Sequence, residues 1–297
     1  MPPPGEPADA PRWYSAGMAT FTERRAAFRR LHESGCFVIP NPWDVGTALY
    51  LRHLGFPALA TTSSGFAFTR GLPDTDWAVP RDAALGHIAE IVGAVDLPVN
   101  ADFESGYAHD PEGVARNVRL CVATGVAGLS IEDATGDRAK PLYDLPLAIE
   151  RVRAAREAIG DSGVLLTARC ESFLVGYPKP LDEALRRLQA FAQAGADVLY
   201  APGPHDGESI AKIVTAVAPR PVNVLMSAST GMRVADLAAL GVRRISVGSA
   251  LARAAWTGFL RAARRLADAG DFSGFEGNVP FAELNGFFRK ARRPAGT

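Results

Sequence analysis

The sequence predicts an α/β protein, a (β/α)8 TIM barrel with extra helices at its C-terminal end. The first observation is a unit that recurs four times: a helical stretch ends in glycine, and a short apolar run follows within two residues. The glycines are Gly55, Gly125, Gly195 and Gly241, and each stands where a left-handed helix C-cap favours glycine. The second observation is that the runs are almost wholly apolar, as expected for parallel strands covered on both faces.

Eight strand candidates follow one another along the chain. Four of them follow the glycines and end at Thr62, Asp133, Pro202 and Gly248, and the others are residues 36–40, 97–102, 164–169 and 221–226. They alternate with helical stretches, which is the repeat of a barrel. A doubly wound sheet is the competing fold, but the first strand runs into Asn-Pro-Trp-Asp and not into the G-x-G-x-x-G turn of that fold.

Helix signals support the same count. Asp110-Pro111-Glu112 supplies a cap, a proline for the first turn and an acid for the positive end of a helix dipole. From Leu181 onward, apolar residues recur at helical spacing and form one stripe. After the eighth strand we expect a long helix from about Ser249 to Ala269 and a last helix near 281–290. These two exceed what a barrel needs and predict packing between the subunits of a homo-oligomer.

The sequence shows no low-complexity segment and no linker, which favours a single domain. We expect residues 1–18 to be a loose arm and residues 19–297 to form one barrel domain. The 32 basic residues balance 32 acidic ones, so no net field favours nucleic acid or an anionic membrane. No apolar run reaches the roughly 20 residues of a membrane helix, and the start of the chain lacks a signal-peptide pattern. Three widely spaced cysteines fit a reducing compartment, so we predict a cytoplasmic protein.

Acidic side chains gather at the predicted ends of the third and fourth strands. Asn100, Asp102 and Glu104 alternate along the chain, so on an extended backbone they would point together into the barrel mouth, where barrel enzymes have their sites. Glu132 ends the neighbouring strand. Neighbouring carboxylates repel unless they are neutralised, and their hard oxygens suit Mg²⁺, with Mn²⁺ as an alternative. The other interpretation, helix caps and surface charges, fits Asp133 better than Asp102 and Glu132.

Arg169 follows the apolar start of the fifth strand, so its guanidinium needs a partner. The partner is either a core carboxylate such as Glu171 or an anionic substrate, and the planar fork favours a substrate carboxylate. Beside the second strand, Ser63-Ser64-Gly65-Phe66 predicts a turn whose hydroxyls and free backbone N–H groups cradle a second anionic end.

The remaining reactive side chains predict no further chemistry. The histidines show no metal-binding spacing, and His32, His53 and His87 fall on predicted helices, where we expect them at the surface. Cys170 is adjacent to Arg169 on a strand, so its side chain should point away from the barrel lumen.

Several segments together resemble the isocitrate lyase/phosphoenolpyruvate mutase superfamily. They include LPVNADFESGY, GVAGLSIEDATGD and LLTARCESF, and the likeness runs from about Phe21 to the last helix. The resemblance implies a Mg²⁺ site at which a 2-oxo acid or its enolate is held while a C–C or P–C bond breaks or forms. It also implies a homotetramer or a dimer.

The resemblance implies roles for individual residues by motif position. Asp102 and Glu132 look like the acids that hold Mg²⁺, and Glu104 is a third metal-ligand candidate. The substrate-binding candidates are Ser64, Gly65, Phe66 and Asn100; the catalytic candidates are Arg169 and Asp74, the latter on a loop that closes near the substrate.

Two departures from the family pattern leave the reaction open. The loop after Asp133 reads ATGDRAKPLYD, so it lacks the K-K-C-G-H segment of isocitrate and methylisocitrate lyases, and no KTNS-like segment of the mutases is evident. We expect a Mg²⁺-dependent C–C lyase or decarboxylase that acts on a small 2-oxo acid or 2-hydroxy diacid through a pyruvate-type enolate. The alternatives are a phosphonate enzyme of the phosphoenolpyruvate mutase or phosphonopyruvate hydrolase type, and a non-catalytic barrel that binds a carboxylate ligand.

Overall fold

Eight parallel strands in one sheet form the centre of the molecule, in a computed structural model that describes residues 19–75 and 77–291. The strands are β1 (Phe37–Ile39), β2 (Leu59–Ala60), β3 (Val99–Asp102), β4 (Gly128–Glu132), β5 (Leu165–Arg169), β6 (Val198–Tyr200), β7 (Val222–Leu225) and β8 (Arg244–Ser246). Their order is β1-β8-β7-β6-β5-β4-β3-β2. The backbone N–H of Ala60 donates to the carbonyl of Pro40 at 3.0 Å and so joins the two edges. The predicted barrel is confirmed.

Helices alternate with the strands and cover the barrel. They are α1 (Phe21–Leu31), α2 (Val45–His53), α3 (Ser63–Thr69), α4 (Arg81–Ala94), α5 (Pro111–Ala123), α6 (Leu145–Ile159), α7 (Pro180–Gln193), α8 (Gly207–Val217), α9 (Val234–Ala239), α10 (Ala250–Ala269) and α11 (Phe281–Ala291), with a 3-10 turn at Ser273–Phe275. Asp110 caps α5 by accepting the N–H of Gly113 at 2.7 Å, as predicted. The four glycines that follow the helical stretch of the repeated unit all have positive φ, from +83° to +102°. The extra C-terminal helices α10 and α11 are confirmed.

Two apolar layers hold this architecture. The larger one lies between the strands and their helices and includes Leu129, Val152 and Leu188. A smaller cluster fills the N-terminal end of the lumen, where Phe28 of α1 packs with Phe37, Ile39 and Leu165, among others. A side chain at position 128 would meet both Phe28 and Asn100, at 2.7 and 2.6 Å, so the strand carries glycine there.

Next to this apolar cluster, on the side of the barrel mouth, the lower lumen contains a polar cluster around Arg244. Its Nε donates to Asn223 Oδ1 at 2.8 Å, and its Nη2 donates to Thr167 Oγ1 at 3.0 Å. Its Nη1 lies 3.4 Å from Nε2 of His32. Burial lowers the pKa of Arg244 to about 10.

The prediction that His32 and His87 lie at the surface is wrong. Both are less than a tenth exposed. His32 is buried because α1 closes the barrel bottom, where its ring packs edge-on against Phe28 and Phe37. His87 is buried because the short helix α3, which the sequence did not indicate, covers that face of α4 with Phe66.

Some predictions concern regions that the structure does not test. The arm predicted at residues 1–18 lies outside the described residues, and the single-domain extent of 19–297 stays a prediction. No helix in the described part of the chain has the length and apolarity needed to cross a membrane.

Candidate active site

The centre of the candidate site is Arg169, at the C-terminal end of β5. Its Nη1 lies 3.0 Å from Asp102 Oδ1 and 2.6 Å from Glu132 Oε1, and its Nε lies 2.8 Å from Glu171 Oε1. The guanidinium also lies over the ring of Tyr200, 4.9 Å from its centroid. The register of β4 and β5 sets Glu132 directly opposite Arg169. The structure therefore brings together three of the predicted residues from three adjacent strands, with Glu171 as a fourth member.

Glu132 and Arg169 shift each other's pKa in opposite directions. Burial raises the pKa of Glu132 above its ordinary value, and Arg169 acts in the opposite direction. Burial alone would lower the pKa of Arg169, but Glu132, Glu171 and Asp102 outweigh it and hold that pKa well above its ordinary value. Arg169 thus stays charged at any ordinary pH. Three carboxylates face one cation, so the group keeps an excess of negative charge when all three acids are ionised.

Asp102 joins the ends of β2 and β3. Its Oδ2 accepts both the backbone N–H and the hydroxyl of Ser63, each at 3.0 Å. Its backbone N–H donates to Thr61 Oγ1 at 2.9 Å. These contacts hold the carboxylate toward the mouth of the barrel, where one oxygen faces Ser63 and the other faces Arg169.

The Ser63–Phe66 segment differs from its predicted form. It is the first turn of α3, in which Gly65 N–H donates to Thr62 Oγ1 at 3.1 Å and Phe66 N–H donates to the Thr62 carbonyl at 3.1 Å. The expectation of free backbone N–H groups at Gly65 and Phe66 is therefore wrong, because Thr62 acts as the helix cap and uses both. Ser64 forms a 3.2 Å hydroxyl contact with Thr62. The substrate-binding roles of Ser64, Gly65 and Phe66 stay predictions.

Glu104 departs from the predicted alternation. The strand ends at Asp102, and Glu104 has a φ of +46°, in the left-handed region, so it does not continue the extended pattern. Its Oε1 accepts the Tyr107 hydroxyl at 2.7 Å and its Oε2 accepts the Trp77 N–H at 3.2 Å. Burial raises the pKa of Glu104 to about 7. Its carboxylate thus accepts two hydrogen bonds, and its role as a third metal ligand stays a prediction.

Backbone strain is concentrated around Glu104. Trp77 and Tyr107 also have positive φ, at +50° and +54°, and both donate to its carboxylate. Each such non-glycine residue costs on the order of 1 kcal/mol, and such strain is commonly found at functional sites. Neither Trp77 nor Tyr107 was predicted from the sequence as a site residue. The available signal was their position, because both are aromatic residues in the connections between a barrel strand and the next long helix.

Asn100 lies deeper in the barrel lumen than the Arg169 cluster, and Asp74 lies nearer the mouth. Asn100 is buried in the lumen, one strand pleat below Asp102, and its Oδ1 has no hydrogen-bond partner among the described residues. Asp74 lies at the exposed rim, in the loop between α3 and α4. Partial burial and then the Asp102 carboxylate raise the pKa of Asp74 to about 6. The role of Asn100 in substrate binding and that of Asp74 in catalysis stay predictions.

The loop after β4 is a short hairpin closed on itself. Ala134 and Leu142 form an antiparallel bridge, and Thr135 N–H donates to the Pro141 carbonyl at 3.0 Å. Asp133, at its base, points away from the mouth and pairs with Arg187 at 3.1 Å, which agrees with the structural interpretation of this acid. Cys170 is likewise buried in the outer core, as expected from its strand position.

A comparison with known proteins identifies the family. The family model described as phosphoenolpyruvate phosphomutase matches residues 28–267. The chain belongs to this family. The resemblance to the isocitrate lyase/phosphoenolpyruvate mutase superfamily is thereby confirmed, and the chain is an enzyme of the C–C lyase or mutase kind.

Individual relatives of the phosphoenolpyruvate phosphomutase family cover most of the chain. A solved structure of a lyase/mutase-type protein of Burkholderia cenocepacia J2315 is 48% identical, with a TM-score of 0.86, over 91% of this chain and 97% of that one. The oxaloacetate decarboxylase of Paraburkholderia xenovorans LB400 is 30% identical over 77% of this chain and 76% of its own. Oxaloacetate acetylhydrolase, solved with its product oxalate, is 26% identical, with a TM-score of 0.79 and coverage of 90% and 94%.

Proposed function

We propose that the chain is a Mg²⁺-dependent C–C lyase or decarboxylase that acts on a small 2-oxo acid or 2-hydroxy diacid through a pyruvate-type enolate. The observation that carries the proposal is the pair of carboxylates Asp102 and Glu132, which share one nitrogen of Arg169 at the mouth of the barrel. Two relatives support the choice of substrate class, because oxaloacetate decarboxylase and oxaloacetate acetylhydrolase both act on oxaloacetate.

The donor set fits Mg²⁺, with Mn²⁺ as a substitute. Asp102 and Glu132 offer hard carboxylate oxygens from neighbouring strands, and the excess negative charge around Arg169 favours a cation. Within residues 19–75 and 77–291, no group of three or more His, Cys, Asp or Glu side chains could hold an ion alone. Asp102 and Glu132 would therefore hold Mg²⁺ together with oxygens from water and substrate. When bound, the ion would act as a Lewis acid toward the substrate's oxygens.

The chain's own residues would orient the acid and stabilise its developing charge. Arg169 keeps its positive charge and lies within a water-poor site, where a fixed cation stabilises an enolate oxygen more strongly than it would in water. Ser63 would fix the orientation of Asp102 through its two hydrogen bonds. Glu132 and Glu171 would in turn keep the guanidinium in place.

The second candidate function is cleavage or isomerisation of a C–P bond, which the phosphomutase description of the matching family supports. A Mg²⁺-dependent screen of 2-oxo acids, 2-hydroxy diacids and phosphonopyruvate separates the two, if pyruvate and phosphate are followed together. Pyruvate without phosphate from a diacid supports the first function. Turnover confined to phosphonopyruvate contradicts it.

We also propose that the enzyme is a homo-oligomer, a dimer or a tetramer, that packs through α10 and α11. Of the twenty residues of α10, Ala252 is the one that is buried. Large apolar side chains remain open to solvent on this segment, including Phe259, Phe272 and Phe281 at 60%, 67% and 84% exposure. Light scattering at micromolar concentration should give a multiple of 31.5 kDa, and a Phe259→Asp/Phe281→Asp variant should give the monomer mass. A monomeric parent protein would contradict the proposal.

A further inference from the structure

Tyr200, at the C-terminal end of β6, lies in the candidate site beside Arg169. The two residues are partners in the register of β5 and β6, and the guanidinium lies over the tyrosine ring, 4.9 Å from its centroid. Residues that pair in register on parallel strands point to the same face of the sheet, so Tyr200 points into the lumen with Arg169. Its side chain is buried, with 7% of the residue exposed. The phenol thus adjoins the cation at which the charge of a substrate would develop.

A chain of hydrogen bonds from the deeper lumen orients the Tyr200 hydroxyl. Arg244 Nε donates to Asn223 Oδ1 at 2.8 Å, and Asn223 Nδ2 donates to the Ser246 hydroxyl at 2.9 Å. The Ser246 oxygen therefore accepts from Asn223 and keeps its own proton for a further partner. That partner is Tyr200, with which Ser246 forms a side-chain hydrogen bond. The Tyr200 oxygen accepts this bond, and its own proton is directed elsewhere.

The proton of Tyr200 is not used within the protein, unlike those of two other hydroxyls at the mouth. Ser63 donates to Asp102 Oδ2 at 3.0 Å, and Tyr107 donates to Glu104 Oε1 at 2.7 Å. In residues 19–75 and 77–291, the Tyr200 hydroxyl donates to no carboxylate or carbonyl oxygen. Its proton is therefore available to a ligand in the site.

The other groups that contact Arg169 are less suited to give up a proton. The neighbouring acids hold the pKa of Arg169 well above its ordinary value, so the guanidinium keeps its protons. Asp102 and Glu132 would use their oxygens to hold the cation. Glu171 accepts Arg169 Nε at 2.8 Å, which favours its ionised form.

The electrostatics of Tyr200 fit an acid that reacts with a strong base. Burial raises the pKa of Tyr200 to about 12, while Arg169 and the Ser246 hydrogen bond act in the opposite direction. The hydroxyl is therefore protonated at pH 7. An enolate carbon is a stronger base than a phenolate, so it can take this proton. Arg169 would stabilise the phenolate that is left, because its fixed charge lies next to the ring.

We propose that Tyr200 is the general acid that protonates the enolate carbon, with Ser246 as a positioning residue that acts through it. The inference rests on the proposed function, which supplies the enolate. The O–H bond of Tyr200 breaks, the electron pair of the enolate C=C bond forms the new C–H bond, and the enolate oxygen becomes the keto oxygen of a 2-oxo acid. The phenolate of Tyr200 then takes a proton from water. Overall the proton on carbon comes from solvent.

The test is the exchange of the methyl protons of pyruvate for deuterium in D₂O with Mg²⁺, followed by proton NMR. Exchange is the proposed step run in both directions, so it does not depend on which bond the enzyme cleaves. Protonation follows bond cleavage, so kcat/KM for cleavage does not report it. We expect Tyr200→Phe to slow the exchange by about 10²-fold. Calorimetry should show unchanged binding of oxalate, a planar analogue of the enolate, because the ring over Arg169 remains.

Further variants separate proton transfer from a structural effect. Ser246→Ala removes the hydroxyl that orients Tyr200 and should slow the exchange about tenfold, whereas Ser246→Thr keeps a hydroxyl and should restore it. Tyr50→Phe, the same change at an exposed position of α2, is the control and should change nothing. Replacement of Tyr200 by 3-fluorotyrosine keeps the shape but lowers the phenol pKa. It should speed the exchange at neutral pH, since more phenolate is present, and it serves if Tyr200→Phe does not fold.

The outcomes separate this inference from the proposed function. If the parent protein binds no oxalate and cleaves no acid in the screen, the proposed function is contradicted and the inference falls with it. If it binds oxalate and cleaves a diacid but does not exchange the protons of pyruvate, the inference is overturned and the proposed function stands. Exchange at the parent rate in Tyr200→Phe, or no change with 3-fluorotyrosine, overturns the role of Tyr200 in the same way.

Discussion

Two buried arginines, Arg169 and Arg244, lie in the same barrel lumen and have opposite surroundings. Arg169 is at the C-terminal strand ends and contacts the three carboxylates Asp102, Glu132 and Glu171. Arg244 lies deeper, and its hydrogen-bonding partners Asn223, Thr167 and His32 are uncharged. The pKa of Arg169 is raised by its partners, whereas burial lowers the pKa of Arg244 to about 10.

The comparison shows that burial of an arginine does not by itself indicate a functional site. Around Arg244 the donors are matched by neutral acceptors, so its hydrogen bonds are satisfied while its positive charge has no carboxylate partner among the described residues. Around Arg169 the carboxylates exceed the cation, so an additional cation and an anionic substrate can be accommodated. On the proposed function, Arg169 acts on the substrate, whereas Arg244 stabilises the lower lumen.

The largest expected effect is that of Asp102→Ala, which removes half of the carboxylate pair. We expect activity to fall by about 10³-fold or more and Mg²⁺ binding to be lost, because Glu132 alone cannot hold the ion. Calorimetric titration with Mg²⁺ measures the binding, and circular dichroism should show an unchanged fold. Asp96→Ala, an exposed acid before the N-terminal end of the same strand, is the control. Unchanged Mg²⁺ affinity in Asp102→Ala would refute the metal site.

Arg169→Lys tests the catalytic side of the comparison. Lysine keeps the charge but cannot contact Glu171 and the Asp102–Glu132 pair at once, so kcat/KM should fall by about 10²-fold through weaker substrate binding. Steady-state kinetics with the substrate found in the screen measures the effect. Kinetics equal to those of the parent enzyme would show that Arg169 is structural.

Arg244→Lys tests whether the deeper arginine contributes to stability and not to activity. The loss of hydrogen bonds to Asn223 and Thr167 should lower the free energy of unfolding by about 2 kcal/mol, since these acceptors are left unpaired. Urea denaturation measures this change. The folded variant should retain the parent kcat/KM, and a large loss of kcat/KM without a loss of stability would break the comparison.

At pH 7 the smallest effect is that of His32, which changes the stability of the lower lumen only at acid pH. Burial, and then Arg244, lower the pKa of His32 from 6.5 to about 3. Between these values the unfolded chain binds a proton that the folded chain does not, so this histidine reduces stability as the pH falls from 6.5 toward 3. His32→Gln should remove this contribution, which is on the order of a few kcal/mol at its largest. Urea midpoints measured across that pH window should fall less steeply than in the parent, and identical slopes would contradict the assignment.

The candidate site was partly predictable because parallel strands end at one edge of the sheet. Asp102, Glu132 and Arg169 each end a strand, so their sequence positions were enough to predict that they lie near one another. Glu104 was not predictable in the same way. Its left-handed backbone depends on the Trp77 N–H and the Tyr107 hydroxyl, and the Trp77 contact comes from a loop distant in sequence.

The sequence by itself determined the barrel, its eight strands and the level at which the acids lie, because helix caps and apolar runs act locally. Only the tertiary structure decided which partner each polar group has. It paired Arg169 with three acids, buried His32 under α1, and made Ser63–Phe66 the start of a helix. These outcomes depend on contacts between strands and helices far apart in the chain, whose distances and burial no local pattern encodes.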